Sequence, residues 1–212
     1  MICIPVLFAQ APAAVIREVS GTVEVQRPGS SAWVPASPGM AIEKGTRVST
    51  GFKSTAAVAL GGAVITVRPL TRLTLEEIAG GPGAEEAEIY LQTGRIRAEV
   101  SRPSGGTINF SVRSPSVTAS VRGTVFEFDT VNLSVGEGRV QYTGASGSLA
   151  FVRAGERSTV DEKNYTVTAP REETAVSFAP EPPPGSEAGG SLNGDGAAVP
   201  PGNAELTVTA EW

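Results

Sequence analysis

Histidine is absent from all 212 residues. With it go the commonest general base, the commonest neutral metal ligand and every triad built on an imidazole. Cysteine occurs once, at Cys3, inside a leader that is expected to be removed, so the mature chain has no thiol for a disulfide or a metal framework. Aspartate is confined to Asp129, Asp161 and Asp195, and no closely spaced run of acidic oxygens resembles a calcium loop. Aromatic residues make up 6%, and no stretch places apolar residues at the helical spacing of three and four. A helical core is therefore excluded. The charge balance also lacks a basic excess: net −5 with pI near 4.9 gives no long-range attraction for phosphate backbones, so nucleic acid is not an expected partner. No cofactor is expected, and the mature chain has no apolar run of the roughly 20 residues that a membrane-spanning helix needs.

What the chain has in quantity is turn chemistry, with Gly 25 and Pro 16, which suits many short strands joined by tight corners. Its 40% hydrophobic content supports one sizeable domain. Alternating runs recur at 19–25, 46–50, 56–60, 63–67, 72–76, 87–91, 95–100, 108–112, 131–135, 139–143, 149–152 and 165–168. They are short, about five residues each, with turns every 8 to 12 residues, the pattern of an all-β sandwich, barrel or solenoid. The expectation is an all-β domain over 15–178, with its core region at 15–155, solenoid-like or sandwich-like.

The most informative stretch is 114–128. Val117, Ala119 and Val121 fall on one face of an extended chain, and Thr118, Ser120 and Arg122 on the other. Gly123 interrupts this run, and the pattern resumes through Val125 and Phe126. Gly123 and Thr124 are expected to form a corner that needs a glycine conformation, with the Thr hydroxyl meeting a nearby backbone group.

The two ends read differently from the middle. Residues 2–8 are apolar and lead into Ala9-Gln10-Ala11, a small-x-small site, so residues 1–11 are expected to be a signal peptide or its remnant. Export to the periplasm or cell exterior follows from that. Residues 179–203 are rich in Pro, Gly, Ser and Ala and read as a flexible linker. Residues 204–212 alternate again, with Leu206, Val208, Ala210 and Trp212 on one face, and read as a terminal strand that docks on the domain, opens a further one or meets a partner.

Three residues are candidates for binding: Trp33, Arg122 and Trp212. Trp33 also suits a core or edge-covering role. Arg122 could meet a carboxylate or phosphate, or a neighbouring Glu. Glu76-Glu77 and Glu85-Glu86 could be read as the paired carboxylates of a glycosidase, yet they flank a Gly/Pro loop and read more simply as solvated strand ends.

The ordered elements Gly21-Thr22-Val23-Glu24-Val25, Trp33 with Pro35, Pro69-Leu70-Thr71-Arg72-Leu73, Leu91-Gln92-Thr93-Gly94, Ser114-Pro115, Val121-Arg122-Gly123-Thr124-Val125-Phe126 and Val135-Gly136-Glu137-Gly138-Arg139-Val140 resemble the FecR domain family over roughly 15–155. The resemblance implies an all-β, exported or periplasm-facing domain. It marks Gly94, Pro115, Arg122, Gly123, Thr124, Phe126 and Gly138 as structural motif residues. Signalling members add a sigma-factor-binding segment, a membrane span and often a receptor-facing domain, none of which this sequence resembles, and Gly61 stands where an acidic residue is common. The expected function is a non-enzymatic, exported module that binds a protein or another envelope component. The alternatives are a periplasmic part of sigma-factor or iron-uptake signalling with separate partner subunits, and a Glu-dependent carbohydrate-active enzyme.

Overall fold

The computed structural model describes residues 14–81, 84–101 and 107–172, and every regular element among them is a β-strand. The first strands are β1 (Ala14–Ser20), β2 (Val23–Gln26), β3 (Trp33–Pro35), β4 (Ala41–Ile42), β5 (Arg47–Thr50) and β6 (Thr55–Leu60). The middle holds β7 (Ala63–Val67), β8 (Arg72–Gly81), β9 (Ala84–Thr93), β10 (Arg95–Val100), β11 (Thr107–Arg113) and β12 (Val117–Val121). The last are β13 (Thr124–Asp129), β14 (Asn132–Glu137), β15 (Arg139–Gly144), β16 (Leu149–Arg153), β17 (Glu156–Asp161), β18 (Thr166–Val167) and β19 (Arg171–Glu172). The expected leader 1–11, linker 179–203 and terminal strand 204–212, with Trp212, lie outside the described residues.

The strands divide between two sheets. One runs β18-β17-β14-β13-β10-β7-β6-β1-β4, with β19 also on β17, and the other runs β16-β15-β12-β11-β9-β8-β5-β2-β3. From β5 onward both orders follow the chain, so successive strands extend the two sheets side by side. Neighbours are antiparallel except for β9 and β11, which pair in parallel from Thr107 beside Ala84 to Arg113 beside Tyr90. A coil of parallel rungs is therefore not what forms; of the two forms left open by the sequence, the sandwich-like one fits.

Alternation decides which side chains fill the space between the sheets. Ala56, Val58 and Leu60 of β6 are buried, as are Ala63, Ile65 and Val67 of β7 and Val117, Ala119 and Val121 of β12, each set at period two. They join one apolar cluster drawn from both sheets. Aromatic pairs bridge the layers: Phe110 of β11 lies 6.4 Å from Phe126 of β13, and Phe128 of β13 lies 6.2 Å from Tyr142 of β15, edge to face. Such pairs add about 0.5–1.5 kcal/mol beyond their burial. The expected strand length of five holds for many elements, whereas β8 and β9 each run ten residues, because the Gly-Gly of 80–81 stays within the ladder instead of breaking it.

Crossings between sheets combine a glycine with a buried hydroxyl. At the β9–β10 crossing Gly94 has φ +90°, and a Cβ there would stand 2.5 Å from the Thr71 Cα. The Thr71 hydroxyl accepts from the Arg95 amide at 3.0 Å and donates to the Arg95 carbonyl at 3.1 Å. Thr50 Oγ1 in turn accepts from the Thr71 amide at 3.0 Å and donates to the Arg68 carbonyl at 2.6 Å. Gly123 and Gly138 meet at the next pair of crossings: a Cβ on Gly138 would lie 2.8 Å from the Gly123 carbonyl oxygen, and Thr124 Oγ1 donates to the Arg139 carbonyl at 3.2 Å. Ser114, before β12, donates to the Thr130 carbonyl at 2.6 Å, and the Tyr142 hydroxyl donates to the Val131 carbonyl at 2.6 Å. No buried side-chain polar atom among the described residues lacks a partner.

Gly94→Ala meets both the left-handed backbone, which costs about 1–2 kcal/mol for a side chain, and a backbone clash of about 1–3 kcal/mol. Gly147→Ala, at φ +85° with open space around it, meets only the first. Urea unfolding should show the larger loss at Gly94, and equal losses would contradict the clash. Burial, and secondarily the Asp129 charge, push the Tyr142 hydroxyl well above its ordinary value of 10.0. The folded state thus holds a proton that the unfolded chain releases, so this residue's contribution is intact below about pH 10 and falls as pH rises further. Stability measured from pH 9 to 12 should decline less steeply in Tyr142→Phe than in the natural chain.

Candidate functional site

The outer face of the β16-to-β3 sheet carries a broad concavity across β9, β11, β12, β15 and β16. Pairing register brings its residues into rows. Val121 pairs with Val140, so Arg122, one residue on, comes beside Arg139, and Arg139 pairs directly with Arg153. Asn109, beside Glu86 in the parallel pair, lies at the other end of the row. In the next row Ser120 pairs with Gln141, and Gln141 with Phe151. All three arginines are exposed, and Phe151 is 50% exposed.

The Arg139–Arg153 opposition is of the closer kind. The Ala154 amide bonds the Gly138 carbonyl, and antiparallel alternation then makes 139/153, 141/151 and 143/149 the non-hydrogen-bonded pairs, whose Cα atoms approach to about 4.5 Å. Like charges directly opposite destabilise a sheet. Among the described residues neither guanidinium is in an ion pair.

Arg113, elsewhere on this face, is arranged differently. Its guanidinium meets Glu88 at 3.0 Å and Glu76 at 3.3 Å, and the hydrogen bond and charge of Glu88 raise its pKa above the ordinary value. Of the glutamates read as a possible carboxylate pair, Glu76 is engaged by Arg113, while Glu86 pairs in register with Ala79, three residues further along β8. No cluster of metal-binding side chains occurs among the described residues.

The other sequence candidates fall mostly at the crossings. Gly94, Gly123, Thr124 and Gly138 line them, Phe126 is in the core, and Pro115 sits in the turn between β11 and β12. Trp33 lies on edge strand β3, half-buried, with the Arg72 guanidinium 5.6 Å from its ring centroid. Of the two described candidates for binding, Arg122 lines the concavity and Trp33 does not. Sequence reasoning did not mark Arg139, Phe151 or Arg153 for binding: Arg139 enters only within the family element 135–140, and Phe151 and Arg153 show only a solvent-facing phase.

Residues 46–141 match the model of a protein family described as "FecR protein". Two crystal structures of a "putative anti-sigma factor" from Parabacteroides distasonis ATCC 8503, at 1.65 and 2.50 Å, share this fold with TM-score 0.50 and 20% identity over 61% of this chain. The chain spans 60% of the length of those structures, and at that identity the likeness is one of fold. No curated protein matches the chain.

Relief of like-charge opposition gives a stability test. Arg139→Ala or Arg153→Ala should leave unfolding stability unchanged or raise it by about 0.2–1 kcal/mol, and the double variant should gain less than the sum of the two. A clear loss in either single variant by thermal unfolding would mean that the two charges are compensated.

Proposed function

We propose that this chain, whose residues 46–141 match the FecR family model, regulates signalling from the exported side of a bacterial envelope by binding a protein. It does so with no chemistry of its own. The family match over the middle of the sandwich is the observation that carries this reading. The match takes in Arg122 and Arg139 of the concave face, so the family segment supplies much of that face. The engagement of Glu76 by Arg113 and the lack of histidine in the chain support a binding role over hydrolysis. The apolar segment at 2–8 followed by Ala9-Gln10-Ala11 supports export, and no helix among the described residues is long and apolar enough to cross a membrane.

Strand and corner residues in this fold are committed to packing, so a regulatory surface must come from outward-facing side chains. The concave face offers positive charge on a chain whose net charge is negative, which favours an acidic partner and disfavours self-association through that face.

Deletion of the gene should alter transcription of a restricted gene set. The full chain should restore that pattern, while a triple Arg122→Glu, Arg139→Glu, Arg153→Glu variant that is folded and present at equal level should not. Alkaline phosphatase fused after residue 172 should be active, as only exported phosphatase is. Unchanged transcription on deletion, or an inactive fusion made at normal level, would overturn the reading.

A further inference from the structure

We infer that β16 is a strand-accepting edge, and that its occupant is an extended segment of a partner protein carrying an acidic residue two positions before an aromatic one. This assignment rests on the reading of the chain as a protein-binding regulator, and it names the surface and the chemistry of the partner.

Unpaired strand edges invite pairing with other chains, and native proteins blunt them with very short strands, prolines and charge. Among the described residues three of the four ends follow that rule: β4 and β18 are two residues long, and β3 is three residues ending in Pro35. β19, beside β17, is two residues and both are charged. β16 breaks the rule. It is five residues, Leu149 to Arg153, without proline, and it ends its sheet. Its exposed side chains include Leu149 at 52% and Phe151 at 50%.

The backbone of β16 is set for pairing. The alternation that makes 139/153, 141/151 and 143/149 non-hydrogen-bonded positions toward β15 turns the amides and carbonyls of residues 149, 151 and 153 away from β15. The Arg153 amide is already met by the Glu156 carboxylate at 2.8 Å, which confirms the outward direction and closes one end of the edge. Among the described residues no strand pairs with β16 on that side, and the groups of Leu149 and Phe151 supply the main-chain part of strand addition.

Side chains then choose the occupant. An antiparallel strand opposite β16 would set three residues of one face beside Arg153, Phe151 and Leu149 in turn. Arg153 stands against Arg139, so a carboxylate beside them relieves repulsion and can engage a planar guanidinium in two bonds. Beside Phe151 an aromatic or β-branched residue packs best. The recognised order, read from the partner's amino end, is acidic, any residue, aromatic, any residue, β-branched.

The test uses the full chain and a capped, fluorescein-labelled peptide of sequence TVEVFVT, followed by fluorescence anisotropy. Replacing the peptide's Glu by Lys, or N-methylating the amide of its Phe, should each weaken binding at least tenfold, and the second change leaves the protein untouched. Arg139→Glu with Arg153→Glu should do the same, while Arg97→Glu on the other sheet should change affinity less than twofold. Hydrogen exchange of the Leu149 and Phe151 amides should slow at least tenfold when the peptide is bound. A heptamer of glutamate binding as tightly, or the N-methylated peptide binding unchanged, would show a polyanion site without strand addition and overturn the inference. So would self-association of the chain that Phe151→Pro abolishes, which would make a second copy the occupant. Failure of the peptide to bind, in a chain that still restores transcription after gene deletion, sinks the edge assignment alone. A chain that binds the peptide but has no transcriptional effect sinks the regulator reading alone.

Discussion

Each time this chain passes from one sheet to the other it leaves one hydrogen-bonded ladder before it joins the next, and the backbone groups stranded between them must be met inside the protein. Buried hydroxyls do this. Thr71 holds both the amide and the carbonyl of Arg95, Thr50 holds the amide of Thr71, and Thr124 holds the carbonyl of Arg139. A buried backbone group left unmet costs about 1–3 kcal/mol, a sizeable share of the stability of a domain this size. The register of both sheets, and with it the inward or outward phase of every side chain, depends on these crossings being fixed.

The core between the crossings is thin in large residues. Alanine, valine, leucine and isoleucine supply most of it, and the aromatic contacts gather in β11, β13 and β15. Small side chains bury less apolar area per residue, so cohesion comes from many strands contributing to one continuous layer. The regular register of those strands also sets polar rows such as Ser120, Gln141 and their neighbours side by side across the sheet.

The strands and their buried phase were legible in the sequence, because period-two alternation is a local property: Val117, Ala119 and Val121 announced their own burial. Partner choice was not legible. Nothing in the residues of β9 and β11 specifies a parallel pairing, since alternation reads the same in either direction, and Gly80 and Gly81 of the Gly/Pro loop between the two glutamate pairs continue a ladder. The Gly123-Thr124 corner could be read from residue chemistry alone. The arginine row could not, because Arg122, Arg139 and Arg153 become neighbours only after two reversals of the chain have set β12, β15 and β16 side by side.

The near-sequential order of strands in both sheets has a bearing on how such a protein could be made. After β5, each new strand joins a ladder whose outer member has already been synthesised, and no later segment has to be threaded between existing strands. Closure of long loops, which slows the folding of most β proteins, is largely avoided. A chain delivered amino end first through a narrow pore could therefore assemble in step with its own delivery, each ladder in place before the strand that extends it.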